Sequence, residues 1–448
     1  MSVTGIETVD VPAQAVRLVA DYVVPCRPDT PADVIAGGAV DIGPDGRIVA
    51  VGRPDELGPA PGPVRPVGGL LLPGLVNTHA HTPMSLIRSV GDGLPLMRWL
   101  KEAVWPLEGR MSPDDAHVGM LLGSAEMLLS GVTTSCEMYL FEAEVVEAAT
   151  LTGARLVITP GVISALIPNG NVEPRIDEIT EFHRTHHRPE ERITVGFAPH
   201  SIYDLTPAQC GEIAARAQAV GALFHIHLEE TRSEREQVLA AHGASATQLL
   251  ADHGALEGRV LGAHGVWLDE TDRRLLAESG AAVAHCPQSN LKLGSGIAPV
   301  ADLLSAGVTV GVGTDGPASN DDLDLWEELR LAPLLARGAG HDPEAMAAPA
   351  ALTLATSLAA RALTLSDVGQ LTAGTWADVV RVDLNVPAFA PLRPETLLTQ
   401  LVFAGSSRFV TDVWVAGRPV VVDRRLTTVD LGAVMAESQR RADRLAGA

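Results

Sequence analysis

At 448 residues, with 46% hydrophobic and 20% charged side chains, the chain has the composition of a folded globular protein with room for a large core, which excludes disorder as its resting state. A formal net charge of -22 disfavours nucleic-acid backbones and anionic membrane surfaces as partners, and no apolar run reaches the roughly 18 residues of a membrane helix. Cys26, Cys136, Cys210 and Cys286 form no C-x-x-C pair, so neither a disulfide framework nor a thiolate zinc site is indicated and a reducing, cytoplasmic setting is expected.

Glu7 and Asp10 precede any long apolar run and no basic stretch stands before them, so no signal peptide is expected. The runs Ala15 to Val24 and Arg47 to Gly52 are rich in β-formers, and Pro44-Asp45-Gly46 supplies the turn chemistry of short antiparallel strands. A mildly Pro-rich patch from Pro59 to Pro66 reads as a connector. The β texture returns in Trp376 to Asp383 and in Val413 to Asp423. Segments 1–70 and 373–430 are therefore expected to build one small composite β-sandwich domain, followed by a C-terminal helix over 431–448.

Between 71 and 372 the rhythm changes. Eight short apolar runs end on or near polar residues: Leu70 to His79, Val132 to Glu137, Arg155 to Pro160, Ile193 to His200, Ala222 to His227, Val260 to His264, Ala281 to His285 and Val308 to Asp315. Helical stretches lie between most of them. The clearest runs to Val220, with Thr206 as N-cap, Pro207 at the first helical position and Gly221 past the end. Eight strand-then-helix units predict an α/β fold of the (β/α)8 TIM-barrel type, in which polar residues at the C-terminal strand ends converge on one mouth.

Those ends carry His79 and His81, His200, His227 with Glu230, His264, His285 and Asp315. His79 and His81 are two apart on an extended segment and so share a face. A single histidine after an apolar run is ordinarily a hydrogen-bonded structural residue, but so many strands ending this way call for a common cause. Three imidazoles and a carboxylate suit one divalent ion with a position left open for water, whose pKa the ion lowers to about 7. On the fifth run His225 and His227 share a face; His227, nearer the mouth, is the better ligand, and His225 is expected deeper as barrel filling. Glu230 is open between a proton shuttle and a solvated acid, and Glu229 is expected to be solvated.

Taken together, His79-Ala-His81, Phe224-His-Ile-His-Leu-Glu-Glu230, Gly262-Ala-His264, His285-Cys-Pro-Gln-Ser-Asn-Leu-Lys-Leu-Gly294 and Gly313-Thr-Asp-Gly-Pro-Ala-Ser-Asn320 resemble the amidohydrolase superfamily. The branch they resemble most is that of the methylthioadenosine and S-adenosylhomocysteine deaminases, with the triazine chlorohydrolases nearby. The resemblance spans nearly the whole chain. It implies metal ligation by His79, His81, His227 and Asp315, with Zn2+ as the expected ion and Fe2+ as the alternative. It further implies that Glu230 shuttles a proton to the purine ring nitrogen, that His264 holds the attacking hydroxide, and that Asp315 relays a proton to departing ammonia. His200 and Glu108 would contact the substrate, Glu108 at the ribose, and Arg175 would match the residue that receives the carboxylate of a homocysteine tail. Ser289, Asn290, Lys292 and His285 read as loop-fixing residues, and Trp99 and Trp105 as packing.

The expected activity is metal-dependent hydrolytic deamination of an adenosine-type nucleoside: adenosine, 5′-methylthioadenosine or S-adenosylhomocysteine. The rivals are a deaminase of a free base such as guanine or 8-oxoguanine, a triazine chloro- or aminohydrolase, and a non-catalytic ligand-binding barrel. The partner is a small molecule. Barrels of this kind often form homo-oligomers, and no segment identifies an interface.

Overall fold

The computed structural model describes residues 6–447. Its centre is a set of eight parallel strands: β1 (Leu75–Ala80), β2 (Val132–Tyr139), β3 (Arg155–Val162), β4 (Ile193–Val195 continued by Ala198–Pro199), β5 (Leu223–Leu228), β6 (Arg259–His264), β7 (Ala282–His285) and β8 (Thr309–Val312). The first four pair in order, as do the last four. Phe197 beside Phe224 and Ser201 beside His227 join β4 to β5, and Ala80 beside Asp315 joins β1 to the end of β8. The sheet thus closes into the (β/α)8 barrel that eight strand-then-helix units predict. β4 is interrupted at Gly196, where a Cβ would come within 2.6 Å of the Leu223 carbonyl oxygen, so the chain presses there on the backbone entering β5.

Two runs expected as single strands are divided. Leu70 to His79 breaks at Pro73-Gly74: Leu70–Pro73 pairs antiparallel with Val379–Val382, and β1 starts only at Leu75. Pro73 has no N–H to continue a ladder, and a Cβ on Gly74 would lie 2.0 Å from Thr133 Oγ1. Ala15 to Val24 likewise splits into Val16–Val19 and Tyr22–Val23, which enter different sheets. The Asp21 side chain at that break accepts the Gly69 N–H at 2.7 Å and ties the turn to the neighbouring segment.

The terminal segments make the β-sandwich. One sheet of four strands is N-terminal, and a seven-stranded sheet mixes strands from both ends of the chain. Leu18, Ile42, Leu71, Val379 and Trp414 from the two sheets share one buried core. The expected turn at Pro44-Asp45-Gly46 joins Ala39–Ile42 to Ile48–Gly52. Among the barrel's outer helices, Pro207–Ala219 starts as expected, with Thr206 and Gln209 forming a reciprocal cap. The helix Leu431–Ala446 docks on Pro113–Ser130, where Arg441 and Arg444 both reach the buried Asp115. Among the described residues no helix is long and apolar enough to cross a membrane.

Barrel and sandwich are riveted by one buried ion pair. Arg155, at the start of β3, donates twice to Asp378 at 2.8 and 3.1 Å, and Asp378 also accepts the Ala416 N–H at 2.7 Å. Both side chains are buried. Asp378→Ala leaves the guanidinium buried without its partner and is expected to lower stability by about 3–5 kcal/mol, read as a shift of the denaturant midpoint; an unmoved midpoint would refute the coupling.

Candidate active site

The strand ends deliver the histidines and Asp315 to one mouth, and hydrogen bonds fix which ring nitrogen each histidine turns inward. Thr159 donates its hydroxyl proton to the Glu137 carbonyl at 3.0 Å, so its oxygen accepts from His225 Nδ1 at 3.0 Å. His225 Nε2 is then an acceptor and takes the Nδ1 proton of His79, also at 3.0 Å. His79 Nε2 is left with a lone pair, fully buried and without a hydrogen-bond partner. His81 donates from Nδ1 to the Met138 carbonyl at 2.6 Å, and His227 from Nδ1 to the His200 carbonyl at 2.9 Å. All three rings present Nε2 lone pairs to the same spot.

Asp315 completes the cluster. Its Oδ2 accepts from Ser289 at 2.6 Å and Ser319 at 2.8 Å, which leaves Oδ1 facing His81 Nε2 at 3.3 Å and His79 Nε2 at 3.5 Å. His227 Nε2 lies 3.4 Å from His81 Nε2. Two imidazole lone pairs that close repel each other unless a cation sits between them, so the donor set fits a divalent ion. Burial, reinforced by the neighbouring imidazoles, pushes the His227 ring well below the ordinary histidine range and, against the pull of Asp315, His79 down to about 3, which keeps both in the neutral, ligating form. Against the effect of burial, the Asp315 carboxylate raises the His81 ring to about 8, and the same contact holds the Asp315 carboxyl well below the usual range; with no ion bound it is a proton on His81 Nε2 that fills this place, and a divalent cation would displace it.

His264 and Glu230 stand beside this cluster. His264 Nδ1 donates to Asn290 Oδ1 at 2.9 Å, so Nε2 points inward, 3.8 Å from Glu230 Oε2. Its inward nitrogen is close enough to those of His79 and His227 that these three could also share an ion. Glu230 is buried, and burial raises its carboxyl above the usual glutamate range. Glu229 corrects the expectation of a solvated acid: it is fully buried, accepts the Ala246 N–H at 2.9 Å and pairs with Arg235 at 3.1 Å. Glu229, His264 and Asp315 all have left-handed backbone, with φ of 49°, 75° and 62°, where non-glycine residues are held only at a cost of about 1–3 kcal/mol each.

A cavity of about 300 Å³ opens above, with His81, His227, His264, Glu230 and Asp315 among its lining. Glu108, from the short helix Trp105–Glu108, and His200 line it as well. Burial drives the His200 ring down to about 4, so it meets a ligand as a neutral imidazole. Trp99 and Trp105 also face the cavity; the Trp99 indole N–H is tied to the Val90 carbonyl at 2.9 Å. Arg175 is not brought to the cavity. Its guanidinium is forked onto Glu142 at 2.9 and 3.2 Å and also reaches Glu178 at 3.2 Å.

Several residues of the site escape sequence reasoning. Ser289 and Asn290, read as loop-fixing, bond Asp315 and His264 directly. His225 is barrel filling and, in addition, sets the tautomer of His79. Glu137 ends the second apolar run, where a strand-end acid could have been flagged; its buried carboxylate accepts the Thr82 N–H at 2.8 Å and hydroxyl at 2.7 Å, pinning the turn after His81. Thr159 carries no local signal, because its partners are distant in sequence, whereas Ser319 lies four residues from Asp315 within the motif that runs from Gly313 to Asn320.

Comparison with known proteins places this geometry in context. The amidohydrolase family model matches residues 70–420. A 5-methylthioadenosine/S-adenosylhomocysteine deaminase of Pelotomaculum thermopropionicum is 40% identical over 92% of this chain and 93% of its own length. The crystal structure of an adenosine deaminase from Xanthomonas campestris with bound zinc superposes with a TM-score of 0.92 at 35% identity, covering 98% of this chain and 100% of that one. An atrazine chlorohydrolase from Arthrobacter aurescens complexed with zinc shares the fold at TM-score 0.88 and 24% identity, over 95% of this chain and 100% of that one.

The chain of bonds behind His79 makes a specific prediction. His225→Phe removes the acceptor of the His79 Nδ1 proton and is expected to weaken divalent-metal affinity by about 10–100-fold, measured by competition with a chromophoric chelator. Affinity equal to that of the unaltered protein would show that His225 only fills space.

Proposed function

The chain belongs to the amidohydrolase family, and from that premise we propose that it is a metal-dependent hydrolytic deaminase of adenosine-type purine nucleosides, working with zinc. The observation that carries this reading is the meeting, under one cavity, of an inward-turned imidazole–carboxylate cluster with a buried carboxyl, Glu230, 3.8 Å from His264. The deaminase relatives and the zinc-containing adenosine deaminase support the substrate class and the ion.

His79, His81, His227 and Asp315 are the residues assigned to hold the ion. When bound, it supplies the Lewis acidity that lets a water molecule ionise near neutral pH. His264, its Nδ1 proton committed to Asn290, offers Nε2 as an acceptor that fixes the direction of the attacking water. Glu230, raised by burial, holds a proton at pH values where an exposed glutamate has lost it, and delivers it to the ring nitrogen next to the amine-bearing carbon. The ring carbon then accepts the water oxygen as the ring nitrogen takes up charge. Asp315 carries a proton to the departing amine, which leaves as ammonia. Nucleoside amine and water become ring carbonyl and ammonia, with no change of oxidation state. Glu108 offers two acceptor oxygens to ribose hydroxyls, and the neutral His200 contacts the base.

Ammonia release on a panel of adenosine, 5′-methylthioadenosine, guanine and a chlorotriazine tests the assignment. Turnover of the nucleosides is expected, and turnover of only the base or the triazine would replace the substrate while leaving the metal site in place. Glu230→Gln is expected to lower kcat by about 10²–10⁴-fold at unchanged bound metal. Glu108→Ala should lose more on nucleosides than on free bases, since a base has no ribose to hold.

A further inference from the structure

Resting on the deaminase reading, we propose that the cavity selects nucleosides whose 5′ substituent is uncharged, and that Glu142 enforces this choice by holding Arg175 behind the cavity wall. The two most similar nucleoside classes differ in one chemical respect: a methylthio group is small and apolar, whereas a homocysteine tail ends in a carboxylate and an ammonium. Much of the lining is apolar, with Leu96, Met97, Leu100, Ile163 and Leu293 contributing to it. Outside the imidazole–carboxylate cluster and Glu230, the carboxyl side chains on the lining are Glu108 and Asp204. Asp204 is held in place by the Ser164 N–H at 3.0 Å and hydroxyl at 2.5 Å. Among the described residues no lysine or arginine lines the cavity. A carboxylate brought there leaves water for an apolar wall beside acidic side chains, with no lysine or arginine to receive it.

The cations nearby are engaged elsewhere. Arg98, between the lining residues Met97 and Trp99, is exposed and forked onto Glu102 at 2.7 and 2.9 Å, and Lys292 reaches Asp321 at 2.6 Å. Lys101 of the same turn is exposed. Arg175 lies nearest to being useful. Its Nε donates to the carbonyl of Gly161, a lining residue, at 3.3 Å, so one backbone group separates it from the cavity. Its remaining nitrogens face away, in the fork with Glu142. That pair is only 22% and 16% exposed, so water screens it weakly and its bidentate geometry resists exchange for a ligand carboxylate. The position that could read a charged tail is present and already occupied by an internal carboxylate.

The test compares kcat/KM of the metal-loaded enzyme for 5′-methylthioadenosine and S-adenosylhomocysteine by ammonia release. A preference of at least about 100-fold for the methylthio nucleoside is expected, and values within about threefold of each other would overturn the selection. Glu142→Gln keeps the shape of the pair but removes its charge, leaving Arg175 only the exposed Glu178 at 3.2 Å. It should raise kcat/KM for S-adenosylhomocysteine by about tenfold and leave that for 5′-methylthioadenosine within about twofold, which also reports an intact fold. If the variant deaminates 5′-methylthioadenosine normally but S-adenosylhomocysteine no better than before, Glu142 is not the enforcing residue. Failure of the enzyme on adenosine and on both thio-nucleosides would overturn the deaminase reading, and this inference with it, an outcome distinct from equal use of the two tails.

Discussion

At the barrel mouth His79, His81, His227 and His264 each donate a hydrogen bond from Nδ1 to a fixed acceptor, and the arrangement of the site depends on that constraint. Met138 and His200 supply backbone carbonyls, Asn290 a side-chain amide oxygen, and His225 a ring nitrogen whose own proton goes on to Thr159. Had any of these acceptors been a donor, the ring it holds would present N–H to the centre and could not ligate. Asp315 is treated alike, with two serine hydroxyls on one oxygen so that the other is free. The centre is therefore organised by the protein, in an interior where burial lowers the His79 and His227 rings while Asp315 raises that of His81.

Holding those acceptors still is the work of the barrel and of what surrounds it. Ala80 beside Asp315 closes the first strand against the eighth, so that His79, His81 and Asp315 come from adjacent backbone. The helix after β7 places Ser289 and Asn290 in successive positions on Asp315 and His264, and is itself anchored through the buried Glu328, which accepts the Gln288 N–H at 3.1 Å and the Asn320 amide at 2.7 Å. The sandwich zips both ends of the chain along the base of the barrel, with Leu70–Pro73 against Val379–Val382. Local strain at Glu229, His264 and Asp315 is tolerated because this surrounding structure over-determines it.

Above the centre, specificity rests on different physics. The wall of the cavity is mostly apolar and carries no lysine or arginine among the described residues, which suits a flat heterocycle carrying a sugar and a small uncharged substituent. Charge selection here comes from the way the chain has paired its own ions: one glutamate, outside the cavity, determines what an arginine behind the wall can reach.

Much of this was legible in the sequence because it is written in local period and spacing. The alternation of apolar runs with capped helices gave the strand number; the two-residue spacing of His79 and His81 put both on one face; and the polar residues at successive strand ends marked the mouth. Even so, Pro73-Gly74 divides a run that hydrophobicity alone joins, because the constraint is the approach of Thr133 from another strand. Glu229 and Glu230 are neighbours of one type, and only the left-handed turn between barrel and loop sends the first into a buried cluster with Arg235 and the second into the cavity. His225 and His227 share a face in any strand, but whether a ring ligates or supports another depends on depth and on partners such as Thr159. The sequence by itself determined the fold class and which polar side chains stand at the strand ends, since both follow from residue type and periodicity along the chain. Tautomers, the burial of Glu229 and the confinement of Arg175 were decided by the tertiary structure alone, because each depends on one hydrogen bond or ion pair to a residue that only folding brings near.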